Sequence, residues 1–184
     1  MTLAHTILER LQEHLALPWP KDVSPRERVV MVVYTPADER KLRRLIQSGE
    51  FAREIATSGR GWVEHDLATE FSCWLAKHQY RDRYLNRPER LWDDTGNVRG
   101  LDEYLGSRIA EITSHLTAND VLALIGGGGL FGLNSISSLV EQIENHIPGR
   151  LVVFFPGEHD ARTNSYRLLG AKDGWGYLAV PITC

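Results

Sequence analysis

Residues 120–160 read DVLALIGGGGLFGLNSISSLVEQIENHIPGRLVVFFPGEHD. Two short apolar runs, 121–125 (VLALI) and 151–155 (LVVFF), bracket a segment, 135–146, in which Ile136, Leu139, Val140 and Ile143 recur at helical spacing. Continuous apolar runs of this length suit strands covered on both faces. A helix between two such strands makes a crossover unit, whose strands run parallel. Glycines 126–129 turn the chain after the first strand, and Pro148-Gly149 and Pro156-Gly157 punctuate the second at its two ends.

The same alternation extends outward. Residues 28–34 (RVVMVVY) form another doubly covered strand. They are followed by Thr35-Pro36-Ala37-Asp38-Glu39, which suits a helix start, and by Leu42, Leu45 and Ile46 facing inward. Residues 3–15 carry Leu3, Ile7, Leu8, Leu11 and Leu15 along one helical face, ending before Pro18 and Pro20. Further helices are expected at 51–56, 67–78 and 101–116, a weaker strand at 62–66, and short closing strands at 166–169 and 177–182. The expected fold is therefore α/β: a single three-layer domain over 1–184, with a mainly parallel sheet, helices on both faces and an antiparallel edge made by the last two strands. An N-terminal helix and loop occupy 1–25. Residues 79–100, charged, aromatic and rich in turn formers, are expected as a solvent-exposed excursion.

With 184 residues the chain is long enough to bury a core without staples. A net charge of −3 argues against whole-surface nucleic-acid binding, which needs massed Lys and Arg, so direct DNA binding is not expected. The two cysteines, Cys73 and Cys184, form no CxxC pair, which excludes a zinc ribbon and a thioredoxin-type site and fits a reducing cytoplasm. The opening MTLAHTILERLQEHL is too charged for a signal peptide, and no stretch approaches the ~18 apolar residues of a membrane span.

Three places carry candidate chemistry. Gly127, Gly129 and Gly132 satisfy GxGxxG between a strand and a helix, where backbone N–H groups can hold a phosphate, with Glu158 placed to meet a ribose. The alternative is a tight turn with glycines in the left-handed region. A P-loop is excluded, because no Gly-Lys pair is present. Glu158-His159-Asp160 follows a strand end, where sites of parallel sheets gather, with His65-Asp66 as a distant partner at the same rim. A solvated loop is the simpler account. Finally, Arg81, Arg83, Arg87, Arg90 and Arg99, interleaved with Tyr80, Tyr84 and Trp92, suit a solvated loop or a protein-docking surface better than nucleic acid, because Asp82, Glu89, Asp93 and Asp94 interrupt them.

Two motifs carry a resemblance. Tyr34, Pro36 and Glu39 stand as Tyr-x-Pro-x-x-Glu after the early strand. Phe154-Phe155-Pro156-Gly157-Glu158 closes the later one, preceded by the turn of Gly126, Gly127, Gly128 and Gly129. This pattern resembles the BrxB family of BREX phage-defence systems, in order and over most of the chain. Residues 67–116 resemble nothing specific. The chain departs from the family at Leu133-Asn134-Ser135-Ile136, where members carry a proline and Arg-x-His, and at 176–180, where members carry Tyr-Tyr-Arg-Ala-Phe. The resemblance implies a cytoplasmic, non-catalytic adaptor without cofactor or metal. Its partners would be a PglZ-like phosphatase-fold protein, the BREX ATPase and the BREX methyltransferase. Exposed aromatics, Trp19, Trp92, Trp175 and Tyr177, would supply interface anchors. The other expectation is a small nucleotide- or phosphate-binding protein using the turn at 126–132.

Overall fold

A computed structural model describes residues 3–94, 96–169, 175–177 and 179–183. Cys184 and Leu178 lie outside them, as does the side chain of Trp175. The elements are α1 (Leu3–Ala16), β1 (Val29–Tyr34), α2 (Glu39–Gln47), α3 (Glu50–Ala56), β2 (Gly61–Asp66), α4 (Glu70–Lys77), α5 (Arg81–Asn86), α6 (Leu101–Thr113), β3 (Asp120–Ile125), α7 (Ile136–Ile143), β4 (Arg150–Asp160), β5 (Ser165–Leu168), β6 (Trp175–Gly176) and β7 (Val180–Thr183). Five strands run parallel in the order β2-β3-β4-β1-β7. This is the expected α/β architecture.

The apolar runs explain the layering. Successive side chains of a strand point to opposite faces. Val29, Met31 and Val33 of β1, with Leu151, Val153 and Phe155 of β4, join the core under α4, α6 and α7. Val30, Val32 and Tyr34, with Val152 and Phe154, join the core under α1, α2 and α3. Every residue of β1 is buried. The flanking strands are more polar, as edges must be: β2 exposes Glu64, and β7 carries Pro181, which has no N–H to offer a further strand.

Four expectations need correction. Pro156-Gly157 does not end the second central strand. β4 continues to Asp160, because beyond Tyr34 its parallel partner has run out and residues 157–160 pair antiparallel with β5 instead. The antiparallel element is thus β4-β5-β6, whereas the final strand β7 lies parallel to β1. The excursion at 79–100 is not exposed throughout. Leu91 and Val98 are buried, and the Val98 N–H donates to Leu133 O at 2.8 Å. Tyr177 is a core residue whose hydroxyl donates to the buried Glu144 carboxylate.

Phe154 is the pivot of the α1–α3 side, edge-to-face with Phe51 at 5.5 Å and with Trp62 at 6.4 Å between ring centres. Phe154→Ala should lower the unfolding free energy by about 3–5 kcal/mol, read as an earlier midpoint in urea at an unchanged slope.

Candidate functional site

Ligand sites of parallel sheets form beyond the carboxyl ends of the strands, so the resembling motifs fall where a site would be expected. Tyr34 ends β1 and pairs in register with Pro156 of β4, which brings the two motifs side by side. The spacing of Tyr34, Pro36 and Glu39 has a local cause. Pro36 opens a 3-10 turn (Pro36–Asp38) that reverses the chain, and Glu39 starts α2 close enough to accept the Tyr34 hydroxyl proton. Burial, reinforced by the hydrogen bond to Glu39 and its charge, pushes the phenol far above its ordinary range, so Tyr34 stays a donor.

The tie continues across the rim. Arg43, one turn along α2, donates to Glu39 Oε1 at 3.3 Å and forks onto Asp66 at the end of β2, at 2.5 and 3.1 Å. Asp66 Oδ1 also accepts from the Ala68 N–H at 2.9 Å, capping the turn Leu67–Thr69. Burial raises the Asp66 pKa, but the Arg43 hydrogen bond, the Ala68 N–H and the Arg43 charge together outweigh it and hold the carboxyl below its ordinary value. Tyr34, Glu39, Arg43 and Asp66 therefore form one hydrogen-bonded chain over the ends of β1, β3 and β2. Arg43 carried no signal beyond its place four residues after Glu39, a spacing that pairs charges on a helix.

The glycine turn is packed against this chain. Gly126 has φ +70°, and a Cβ there would lie 2.3 Å from Asp66 Oδ1 and 2.5 Å from the Arg43 guanidinium. At Gly129 a Cβ would lie 2.7 Å from the Ala68 Cα. Gly127 is buried against Ile136, and Gly128 faces Pro156. Residues 127–130 form a 3-10 turn, and α7 begins only at Ile136, capped by Ser135 Oγ. The room left by the missing side chains at 126 and 129 is thus filled by Asp66, Arg43 and Ala68.

In β4, Phe155 packs edge-to-face on Tyr166 at 5.9 Å, and the Pro156 carbonyl accepts from the Leu169 N–H at 3.0 Å. A Cβ at Gly157 would lie 2.0 Å from the Arg167 carbonyl oxygen, so the strand crossing demands glycine. Glu158 is exposed opposite Arg167. His159 stacks at 4.6 Å on Tyr166 and its Nε2 bonds Asn164 Oδ1 at 2.9 Å, within the hairpin. Residues 158–160 are therefore strand, not a solvated loop. His65 and Asp66 do not meet them: Asp66 turns to α2, and His65 is buried on the opposite face with Nε2 3.3 Å from Glu70 Oε1. Burial lowers the His65 pKa against the pull of Glu70. Among the described residues no three His, Cys, Asp or Glu side chains converge as a metal site requires.

Two large apolar side chains stand exposed near this network. Phe131, just after the glycine turn, is 49% exposed, and Leu169, just after β5, is 39% exposed. Trp92 Nε1 donates to Gly132 O at 3.0 Å, which moors the end of the excursion beside the turn. No protein-family model matches the chain, and neither a curated protein nor a solved structure matches it significantly.

Arg43→Met should lower stability by about 1–2 kcal/mol at pH 7, the scale of a largely buried but solvent-touched charge-assisted pair. The folded Asp66 pKa lies below its unfolded value, so its contribution is complete above about pH 4 and is lost as pH falls through the folded value. The gap between Arg43→Met and the parent should accordingly narrow on acidification below about pH 4, measured by urea unfolding at a series of pH values.

Proposed function

We propose that the chain is a non-catalytic adaptor of a BREX-type bacteriophage-defence complex, docking onto a PglZ-like phosphatase-fold protein and the BREX ATPase. The observation that carries this reading is the state of the carboxyl rim. Its polar side chains, Tyr34, Glu39, Arg43 and Asp66, are bonded to one another, while Phe131 and Leu169 stand exposed beside them. A catalytic rim keeps polar groups free to meet a substrate. A contact rim presents apolar anchors within a polar border. The motifs that resemble the BrxB family, Tyr34-x-Pro36-x-x-Glu39 and Phe154-Phe155-Pro156-Gly157-Glu158, lie next to each other at this rim. Their spacing has a mechanical reason: one closes the end of β1 and the other carries β4 from the parallel sheet into the hairpin. The nucleotide reading of residues 126–132 draws no support from the geometry, because protein atoms fill the space at Gly126 and Gly129.

Pull-down and titration with the PglZ-like protein and the ATPase of the same genome test the proposal. A dissociation constant in the micromolar range or tighter is expected for at least one. Phe131→Asp should weaken that binding by tenfold or more without lowering the melting temperature, since Phe131 is half exposed. No binding of either protein at tens of micromolar, or equal binding by Phe131→Asp and Leu169→Asp, would overturn it.

A further inference from the structure

The opposite edge of the sheet is built differently. Arg28 immediately precedes β1, Arg60 immediately precedes β2, and Arg150 is the first residue of β4. Because these strands are parallel neighbours or near neighbours, the register brings the three guanidinium-bearing residues to one edge. Trp19, in the loop after α1, lies among them, with the Arg60 guanidinium 3.8 Å and the Arg150 guanidinium 4.8 Å from its ring centre. Trp19 is itself held by a hydrogen bond from its Nε1 to Leu15 O at 3.1 Å.

Two adjoining cavities open there. One, of about 460 Å³, is lined by Trp19, Lys21, Arg28, Arg60 and Arg150 together with Pro20, Ala118 and Pro148. The other, of about 530 Å³, shares Trp19, Pro20 and Arg150 and adds His14 and Glu27. Both fall within the size range of small-molecule sites. The first is lined by four cationic side chains and no carboxylate. In the second, Glu27 is the single acid, and its carboxylate is committed to the Ser24 N–H and Oγ, both at 2.8 Å.

The three arginines differ in how they are held. Arg60 is anchored by Leu15 O, Leu17 O and Asn119. Arg28 makes one long bond, to Val23 O at 3.5 Å. Arg150 is only 8% exposed, and its partner is the Trp19 ring. None of the three forms an ion pair among the described residues. Burial, with the charges of Arg28 and Arg60, depresses the Arg150 pKa, and burial with the Arg150 charge depresses that of His14. Gathering like charges against an apolar wall without counter-ions is unfavourable in the free protein, and an anion relieves it.

We propose that this amino-edge cavity binds a phosphate-bearing small molecule, its multiply charged phosphate group seated between Arg28, Arg60, Arg150 and Lys21 beside Trp19. Planar guanidinium forks match phosphate oxygens in pairs, and four cations exceed what a single carboxylate would neutralise. A small ligand is favoured over a nucleic-acid strand because the arginines line a pit between loops of a net-acidic chain.

The test is titration of the full chain with inorganic phosphate, pyrophosphate and ATP, with citrate and a single-stranded oligonucleotide as comparison arms, at constant ionic strength. Calorimetry and melting temperature are the readouts. At least one phosphate compound should bind saturably and raise the melting temperature, more than citrate at the same concentration. Arg28→Gln should weaken that binding by tenfold or more while leaving the melting temperature of the free protein unchanged or higher, an outcome a purely structural arginine would not give. Lys21→Gln, at an exposed position, should weaken it in the same direction. The proposal is overturned by no saturable binding of any phosphate compound at millimolar concentration, or by binding that Arg28→Gln and Lys21→Gln both leave intact. Binding of the oligonucleotide alone overturns it in favour of a nucleic-acid surface. The adaptor reading concerns the other end of the sheet, so either proposal can fail alone.

Discussion

Everything else in this fold depends on the pairing of β1 with β4. Six consecutive residue pairs, from Val29 with Leu151 to Tyr34 with Pro156, lie side by side in the middle of the sheet. Their side chains alternate between two cores, so all of them leave water. Full burial of a Val, Leu or Phe side chain is worth about 1.5–3 kcal/mol, and the parallel ladder satisfies the backbone groups that go in with it. A strand pair sealed on both faces has no polar face to offer. Chemistry and recognition are confined to the two ends of the strands and to the loops there.

The two ends use that freedom in opposite ways. At the carboxyl end, the charged groups of one network are partnered within the chain: Glu39 and Asp66 share Arg43, and Tyr34 donates to Glu39. Desolvation of these charges is offset locally, and the surface outside them is free to be apolar. At the amino end Arg28, Arg60 and Arg150 form no ion pair among the described residues, and an aromatic ring stands beside two of them. Cation–π contact stabilises each pair by roughly 0.5–2 kcal/mol, but it does nothing to cancel the net charge. The proposed anion site accordingly lies at the end opposite to the one where sites of parallel sheets usually gather.

How much of this could be read from residues alone follows from the range of each interaction. The strands 28–34, 121–125 and 151–155 and the helices around them declare themselves because burial on two faces writes unbroken apolar runs. The helix start after Tyr34 is legible as well, since proline and the acids lie within six residues, but the hydrogen bond from Tyr34 to Glu39 emerges only in three dimensions. The continuation of β4 past Pro156-Gly157 is not. Proline and glycine signal a break locally, and only the antiparallel partner at 165–168 explains why the strand goes on. Tyr177 looks like a surface aromatic until Glu144, 33 residues earlier, supplies its acceptor. His65 and Asp66 are adjacent in sequence yet face opposite cores, a consequence of strand alternation that separates any proposed pair of neighbours. Arg28, Arg60 and Arg150 are scattered over 120 residues and become a cluster only once the register sets three strand beginnings on one edge.

That geometry also governs whether the two ends can influence each other. A six-residue strand spans about 20 Å. Two unit charges at that separation interact by about 0.2 kcal/mol in water and by about 0.8 kcal/mol at an effective dielectric of 20. Both values fall short of the 1–3 kcal/mol typical of allosteric coupling. A stronger link would need an element with two arrangements, and close-packed β1 and β4 supply a rigid spacer instead. An anion bound beside Arg150 and a protein seated on Phe131 would accordingly act as independent ligands. In that case the affinities measured at one end would be nearly blind to the occupancy of the other, and substitutions at the two ends would add.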